Sequence, residues 1–101
     1  MRLTVDQQRH ILQIVYHHLG EKGLVRVYGS QLHDDLRGGD IDLMIEGDLH
    51  LAPLDKAAMQ LDLEEALQQP VDILYHQADK PLTPFQSMAR AASRPLQSRP
   101  A

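Results

Sequence analysis

The sequence predicts an α/β (α+β) fold, a small mixed β-sheet with helices packed on it, from three observations. Short β-branched runs at residues 24–28, 41–45 and 71–75 read as strands. Longer stretches with apolar residues at helical spacing flank and separate them. Glycine or proline punctuates most of the junctions. With strands and helices interleaved in this way, the stable solution is a layer of helices on a sheet. The 101 residues allow one such core and no second one.

The elements follow in order. Thr4 and Gln7 have capping-box spacing, and Asp6 suits the positive end of a helix. Val5, Gln8, Leu12, Val15 and Leu19 recur at helical spacing, Ile11 and Ile14 widen the stripe, and Gly20 is a natural stop, so a helix is expected over 5–19. The strand at 24–28 lies between Gly23 and Gly29. Ser30 is a good N-cap for a short helix over 30–36, with Leu32 and Leu36 one turn apart. Arg37, Gly38 and Gly39 form a loop before the second strand, which closes at Gly47. Pro53 fits a first helical position, and Leu54, Ala57, Ala58, Leu61 and Leu67 form the expected apolar face of a helix ending before Pro70. A third strand and a last helix over 83–92 complete the domain, taken as residues 1–93, with 94–101 expected to be a flexible tail.

Composition removes several classes of function. The chain has no cysteine, which excludes disulfides, thiolate metal sites and cysteine nucleophiles. No apolar run approaches the roughly 18 residues of a membrane span, and the N-terminus has no apolar signal stretch, so a cytoplasmic protein without a membrane partner is expected. Residues 1–76 hold six Lys or Arg against thirteen Asp or Glu, whereas 77–101 hold four against one. An acidic body and only four aromatic rings argue against direct nucleic-acid binding. The histidines His10 and His17 lack the i,i+4 spacing of a helical zinc pair.

The chemistry concentrates in residues 28–46, YGSQLHDDLRGGDIDLMIE. Period-two alternation puts Asp40 and Asp42 on one face of a strand and Ile41 and Leu43 on the other. Adjacent like charges repel unless a cation lies between them, and hard oxygen ligands suit Mg²⁺. Gly29-Ser30, at the end of the preceding strand, allows a phosphate to approach the backbone and offers it hydrogen bonds. Asp72, on the third strand between apolar neighbours, supplies a third carboxylate. Two ions about 3.5–4 Å apart, bridged by such carboxylates, suit phosphoryl or nucleotidyl transfer. Alone, each feature reads more readily as an ordinary turn or a solvated strand face; their joint occurrence at strand ends is the signal.

Gly29-Ser30, Asp40-Ile41-Asp42 and Asp72 in VDIL resemble the minimal nucleotidyltransferases of the DNA polymerase β superfamily, antitoxin-type proteins paired with HEPN-domain toxins. The resemblance runs from the first helix to the TPFQSMARAASRPL segment, which is similar to the family's closing helix. The spacing of nine residues between Ser30 and Asp40 is shorter than is frequent in the antitoxins. The resemblance implies a nucleotidyltransferase (polymerase β-like) fold. Asp40 and Asp42 would be ligands of catalytic Mg²⁺, with two ions expected, and Asp72 a third ligand or the group that deprotonates the acceptor. Gly29 and Ser30 would hold the triphosphate of ATP; apart from the resemblance, Arg37, in the loop before the aspartates, reads either as a residue that steadies the triphosphate or as an exposed loop arginine. The implied reaction is transfer of AMP to a hydroxyl, that of a tyrosine on a partner HEPN-type toxin or other small helical protein. Two alternatives stand beside it: an antitoxin that neutralises by binding alone, and the catalytic subunit of a two-chain transferase acting on a small-molecule hydroxyl. His76, after the third strand, and Arg90 and Arg94 are secondary candidates for contact with the nucleotide or an acidic partner; solvated surface is the plain reading of Asp34, Asp35, Asp62, Glu64 and Glu65.

Overall fold

The computed structural model describes residues 2–20, 23–29 and 39–96. Helix α1 (Val5–Leu19) begins with the expected capping box: the Thr4 hydroxyl accepts from the Gln7 amide at 3.0 Å, and the Gln7 side chain accepts from the Thr4 amide at 2.8 Å. It stops at Gly20, whose φ of 65° suits glycine. Ile11 and Val15 are buried, with Leu12, Ile14 and Leu19 packed beside them. Val5, expected on this stripe, is exposed; it lies six residues, about 240° around the helix, from Ile11.

Strand β1 (Gly23–Tyr28) pairs antiparallel with β2 (Ile41–Gly47), and β2 pairs in parallel with β3 (Val71–Gln77). A fourth strand, β4 (Arg94–Pro95), pairs antiparallel with β1, giving a mixed sheet of order β3-β2-β1-β4. One face carries Val25, Val27, Ile41, Leu43, Ile45 and Val71, and packs on α1 and α2 (Pro53–Leu67) to form the core.

Two further expectations are corrected. The buried stripe of α2 is Met59, Leu63 and Leu67, at steps of four, whereas Leu54 and Leu61 are 83% and 65% exposed and Ala57 and Ala58 are exposed too. Leu61 and Leu63 stand about 200° apart around the helix, so the sequence offers two apolar sides, and packing on α1 and β3 selects the one with Met59. Arg94 and Pro95, expected to open a flexible tail, belong to the sheet. The Leu96 amide donates to the Val25 carbonyl at 2.9 Å, and the Leu96 side chain is buried in the core. Pro95 is tolerated there because β4 is an edge strand. Residues 97–101 and the short helix expected over 30–36 lie outside the described residues.

The second face of the sheet is lined by Arg26 and Tyr28 from β1, Asp42, Met44 and Glu46 from β2, and Asp72 and His76 from β3, by alternation and register. Helix α3 (Pro84–Ala91) crosses part of it. Thr83 and Gln86 form its capping box, Gln86 Nε2 donates to the Tyr75 carbonyl at 3.1 Å, and Ala89 is buried beneath it.

Candidate active site

The carboxylates are gathered by strand pairing. In the parallel β2–β3 ladder Asp42 stands opposite Asp72, which sets their Cα atoms about 4.8 Å apart. In the antiparallel β1–β2 ladder the same Asp42 stands opposite Tyr28. Asp40 lies one residue before β2 and adds its charge to the group, as its effect on Asp42 shows. Burial, then Asp72, then Asp40 raise the Asp42 carboxyl above the ordinary carboxylate range. Burial, then Asp42 and Asp72, likewise raise the Tyr28 phenol.

The start of β3 is held in place from two sides. The Val71 amide donates to Glu64 Oε2 at 2.9 Å, and the Val71 carbonyl accepts from Gln60 Nε2 at 3.1 Å. The Ile41 amide donates to the Pro70 carbonyl at 2.9 Å. Both residues that precede the paired aspartates, Ile41 and Val71, are therefore fixed by backbone bonds, and α2 sets the position of Asp72 relative to Asp42.

Gly29 follows directly. Its φ is 78°, a conformation that L side chains rarely adopt, and a Cβ there would overlap the Asp42 carboxylate. Glycine is needed here twice over, for the turn and for the carboxylate beside it. Ser30 and Arg37, the other residues expected to hold the triphosphate, lie outside the described residues.

Among the described residues, no three or more acidic or histidine side chains close around a single point as a complete metal cage. Magnesium does not require one, since it keeps waters and phosphate oxygens and takes only one or two carboxylates from the protein. The donor set fits that demand: hard oxygens on neighbouring strands, with Asp42 pushed up by its like-charged neighbours and so poised to gain from a cation.

The opposite end of the same face is built differently. Glu46 accepts from Arg26 Nε at 2.9 Å, lies 3.0 Å from His76 Nδ1, and has Arg90 Nε at 3.7 Å. Burial alone would raise the Glu46 carboxyl, but the bonds from His76 and Arg26 and the charges of Arg90 and Arg26 hold it below its usual range. His76 also has Nε2 at 2.7 Å from the Lys80 carbonyl. Four residues along β3 from Asp72, about 13 Å, it supports the β3–α3 turn and is too far for contact with the reacting end. A cavity of about 520 Å³ at this end, lined by residues that include Lys56, Tyr75, His76, Asp79 and Lys80, contains none of Asp40, Asp42 and Asp72.

Several contributors escaped the sequence reading. Glu64 is a structural clamp where solvated surface was expected; Asp62 is exposed as expected and pairs with His18 at 2.7 Å. The partnership of Glu46 and His76 had one local signal: each stands four residues beyond an aspartate, on the same face.

Residues 9–100 match the nucleotidyltransferase domain family. The chain belongs to that family. None of the curated proteins shows significant similarity to it in sequence. Among solved structures, this nucleotidyltransferase is similar to a minimal nucleotidyltransferase with 25% identity and a TM-score of 0.68, covering 93% of this chain and 97% of the other. It is also similar to a chain in a tri-AMPylated Shewanella oneidensis HEPN toxin in complex with MNT antitoxin, with 15% identity, a TM-score of 0.71, and coverage of 95% and 74%. A toxin–antitoxin complex with AMP-PNP gives 16% identity, a TM-score of 0.73, and coverage of 96% and 75%. No helix among the described residues is long and apolar enough to cross a membrane.

Proposed function

We propose that this nucleotidyltransferase transfers AMP from ATP to a tyrosine hydroxyl of a partner HEPN-type toxin, in the cytoplasm, and acts as that toxin's antitoxin. The observation that carries the reading is the packing of Gly29 against Asp42, with Asp42 in register with Asp72. A backbone able to approach phosphate thus meets a carboxylate pair at one end of the sheet. The AMP-PNP complex and the AMPylated toxin among the similar structures support the nucleotide and the acceptor class.

In this reading Gly29, Ser30 and Arg37 hold the triphosphate, and Asp40, Asp42 and Asp72 hold Mg²⁺, two ions in the full site. Bound Mg²⁺ neutralises phosphate charge and eases ionisation of the acceptor hydroxyl. The acceptor oxygen attacks the α-phosphorus, the bond to the β-phosphate oxygen breaks, and pyrophosphate leaves. Asp72, exposed at the start of β3, takes the hydroxyl proton. Asp42, flanked by Gly29 and Tyr28, fixes the metal side of the site.

A second reading, neutralisation by binding alone, is favoured by the similar structures being toxin–antitoxin complexes. Growth rescue separates the two. Cells expressing the toxin should recover with the wild-type chain and fail to recover with Asp40→Asn/Asp42→Asn at equal protein level. Equal rescue by the variant would select neutralisation by contact.

A further inference from the structure

Strand β3 is an edge of the sheet, in the order β3-β2-β1-β4, and it carries Asp72 at its second residue. Backbone groups of successive strand residues point to alternate sides. The Pro70 carbonyl faces β2, where it accepts from the Ile41 amide, so the amide and carbonyl of Val71 face away from the sheet. An edge leaves such groups without a ladder partner, and the ends of such strands are where a sheet frays first.

Helix α2 supplies the missing partners. Glu64 Oε2 accepts from the Val71 amide at 2.9 Å, and Gln60 Nε2 donates to the Val71 carbonyl at 3.1 Å. Positions 60 and 64 stand one turn apart, so both side chains reach Val71 from one side of the helix. Together they take the two bonds that a fifth strand would make there. Met59 and Leu63, their sequence neighbours, are buried and anchor the helix in the core. The connection has little slack: α2 ends at Leu67, Gln68 turns the chain with a φ of 55°, and Val71 opens β3 three residues later.

This clamp has a stake in the chemistry. The residue it grips precedes Asp72, and Asp72 stands opposite Asp42. Like charges side by side separate unless something holds them, and Val71 is the link next to the carboxylate that would move. Other acids of α2 are placed differently: Asp62 pairs with His18, and Glu65 is exposed.

We infer that Glu64, with Gln60, is a positioning residue of the transfer reaction: the pair stands in for a missing strand and holds Asp72 at the separation from Asp42 that a divalent cation requires. This rests on the function proposed above, in which both aspartates hold Mg²⁺, and adds the groups that keep them in place. Glu64 acts through its acceptor oxygen and not through its charge.

Four variants test it. Glu64→Leu removes the acceptor, Glu64→Gln keeps an oxygen there without the charge, Gln60→Leu removes the donor, and Glu65→Leu removes a neighbouring charge as the control. Urea denaturation fixes conditions in which each is folded. Three quantities are read: exchange of the Val71 amide by NMR, Mn²⁺ binding with AMP-PNP by electron paramagnetic resonance, and AMP transfer to the HEPN-domain partner as a function of Mg²⁺. Glu64→Leu should speed Val71 exchange by about tenfold or more and weaken Mn²⁺ binding by about 10- to 100-fold, with a matching rise in the Mg²⁺ needed for half-maximal transfer. Gln60→Leu should show the same losses, smaller. Glu64→Gln should lie within about threefold of wild type, and Glu65→Leu within about twofold. Wild-type Mn²⁺ affinity and transfer in folded Glu64→Leu would overturn the inference. So would a Glu64→Gln protein as defective as Glu64→Leu, or loss of transfer with Val71 exchange and Mn²⁺ binding unchanged. Asp72→Asn with wild-type Mn²⁺ binding and transfer would overturn the proposed site, whatever Glu64 does. An inactive Asp72→Asn beside a fully active Glu64→Leu would overturn the positioning role alone.

Discussion

Gly29 and Asp42 constrain each other. A methyl group at position 29 would meet the Asp42 carboxylate, and the φ of 78° disfavours any side chain there. Gly29→Ala should therefore lower the unfolding free energy by about 1–3 kcal/mol, read from urea denaturation, and reduce transfer because the carboxylate is displaced. Asp42 itself stores repulsion. Burial, Asp72 and Asp40 raise its folded-state pKa above the unfolded value. A raised carboxyl contributes stability below the unfolded pKa and loses it as pH rises through the folded one, so at neutral pH the metal-free protein carries the cost. Asp42→Asn should raise its thermal midpoint at pH 7 while abolishing transfer; a midpoint that falls would contradict the electrostatic account. At this scale Gly29 and the Asp-x-Asp pair were legible in the sequence, because alternation along one strand is local. The part of Tyr28 was not, since it depends on pairing across strands.

Helix α2 shows why elements are only partly legible. Its sequence has two apolar sides, and the one that looks fuller, with Leu54 and Leu61, faces solvent. Met59, Leu63 and Leu67 are chosen by the shape of α1 and β3, which no single-helix pattern records. Leu63→Ala should cost about 2–5 kcal/mol, whereas Leu61→Ala should change stability by no more than about 0.5 kcal/mol; thermal denaturation of the two variants checks both. Strand β4 was missed for a similar reason. Two residues carry no periodicity, and their pairing with β1 depends on α3 bringing the chain back to that edge. The start of helix α1 was readable because a capping box is encoded within four residues.

Across the described residues, one face of the sheet has an acidic end where like charges meet and a compensated one. Asp42 and Asp72 repel at the first. At the second, Glu46 is held below its usual range against the pull of burial, by His76, Arg26 and Arg90. A depressed carboxyl contributes stability above its unfolded pKa and loses it as pH falls through the folded one. Glu46→Gln should thus be less stable at pH 7, by about 1–3 kcal/mol for a buried charge-assisted bond, and should lose less on acidification below the ordinary glutamate range than wild type does. Urea midpoints measured across that range decide it. The grouping of Asp40, Asp42 and Asp72 at the acidic end could be anticipated from residues 28–46 and 71–75; the compensated end could not, because Arg26, Glu46, His76 and Arg90 come from four separate elements. The compensated end supports α3 through Arg90 and Glu46, while at the other end the carboxylates repel. The most direct measurement is mass spectrometry of the HEPN-domain partner after incubation with this chain, ATP and Mg²⁺. The account predicts AMP on a partner tyrosine with the wild-type chain and none with Asp40→Asn/Asp42→Asn. An unmodified partner with wild type, or equal modification by the variant, would contradict it.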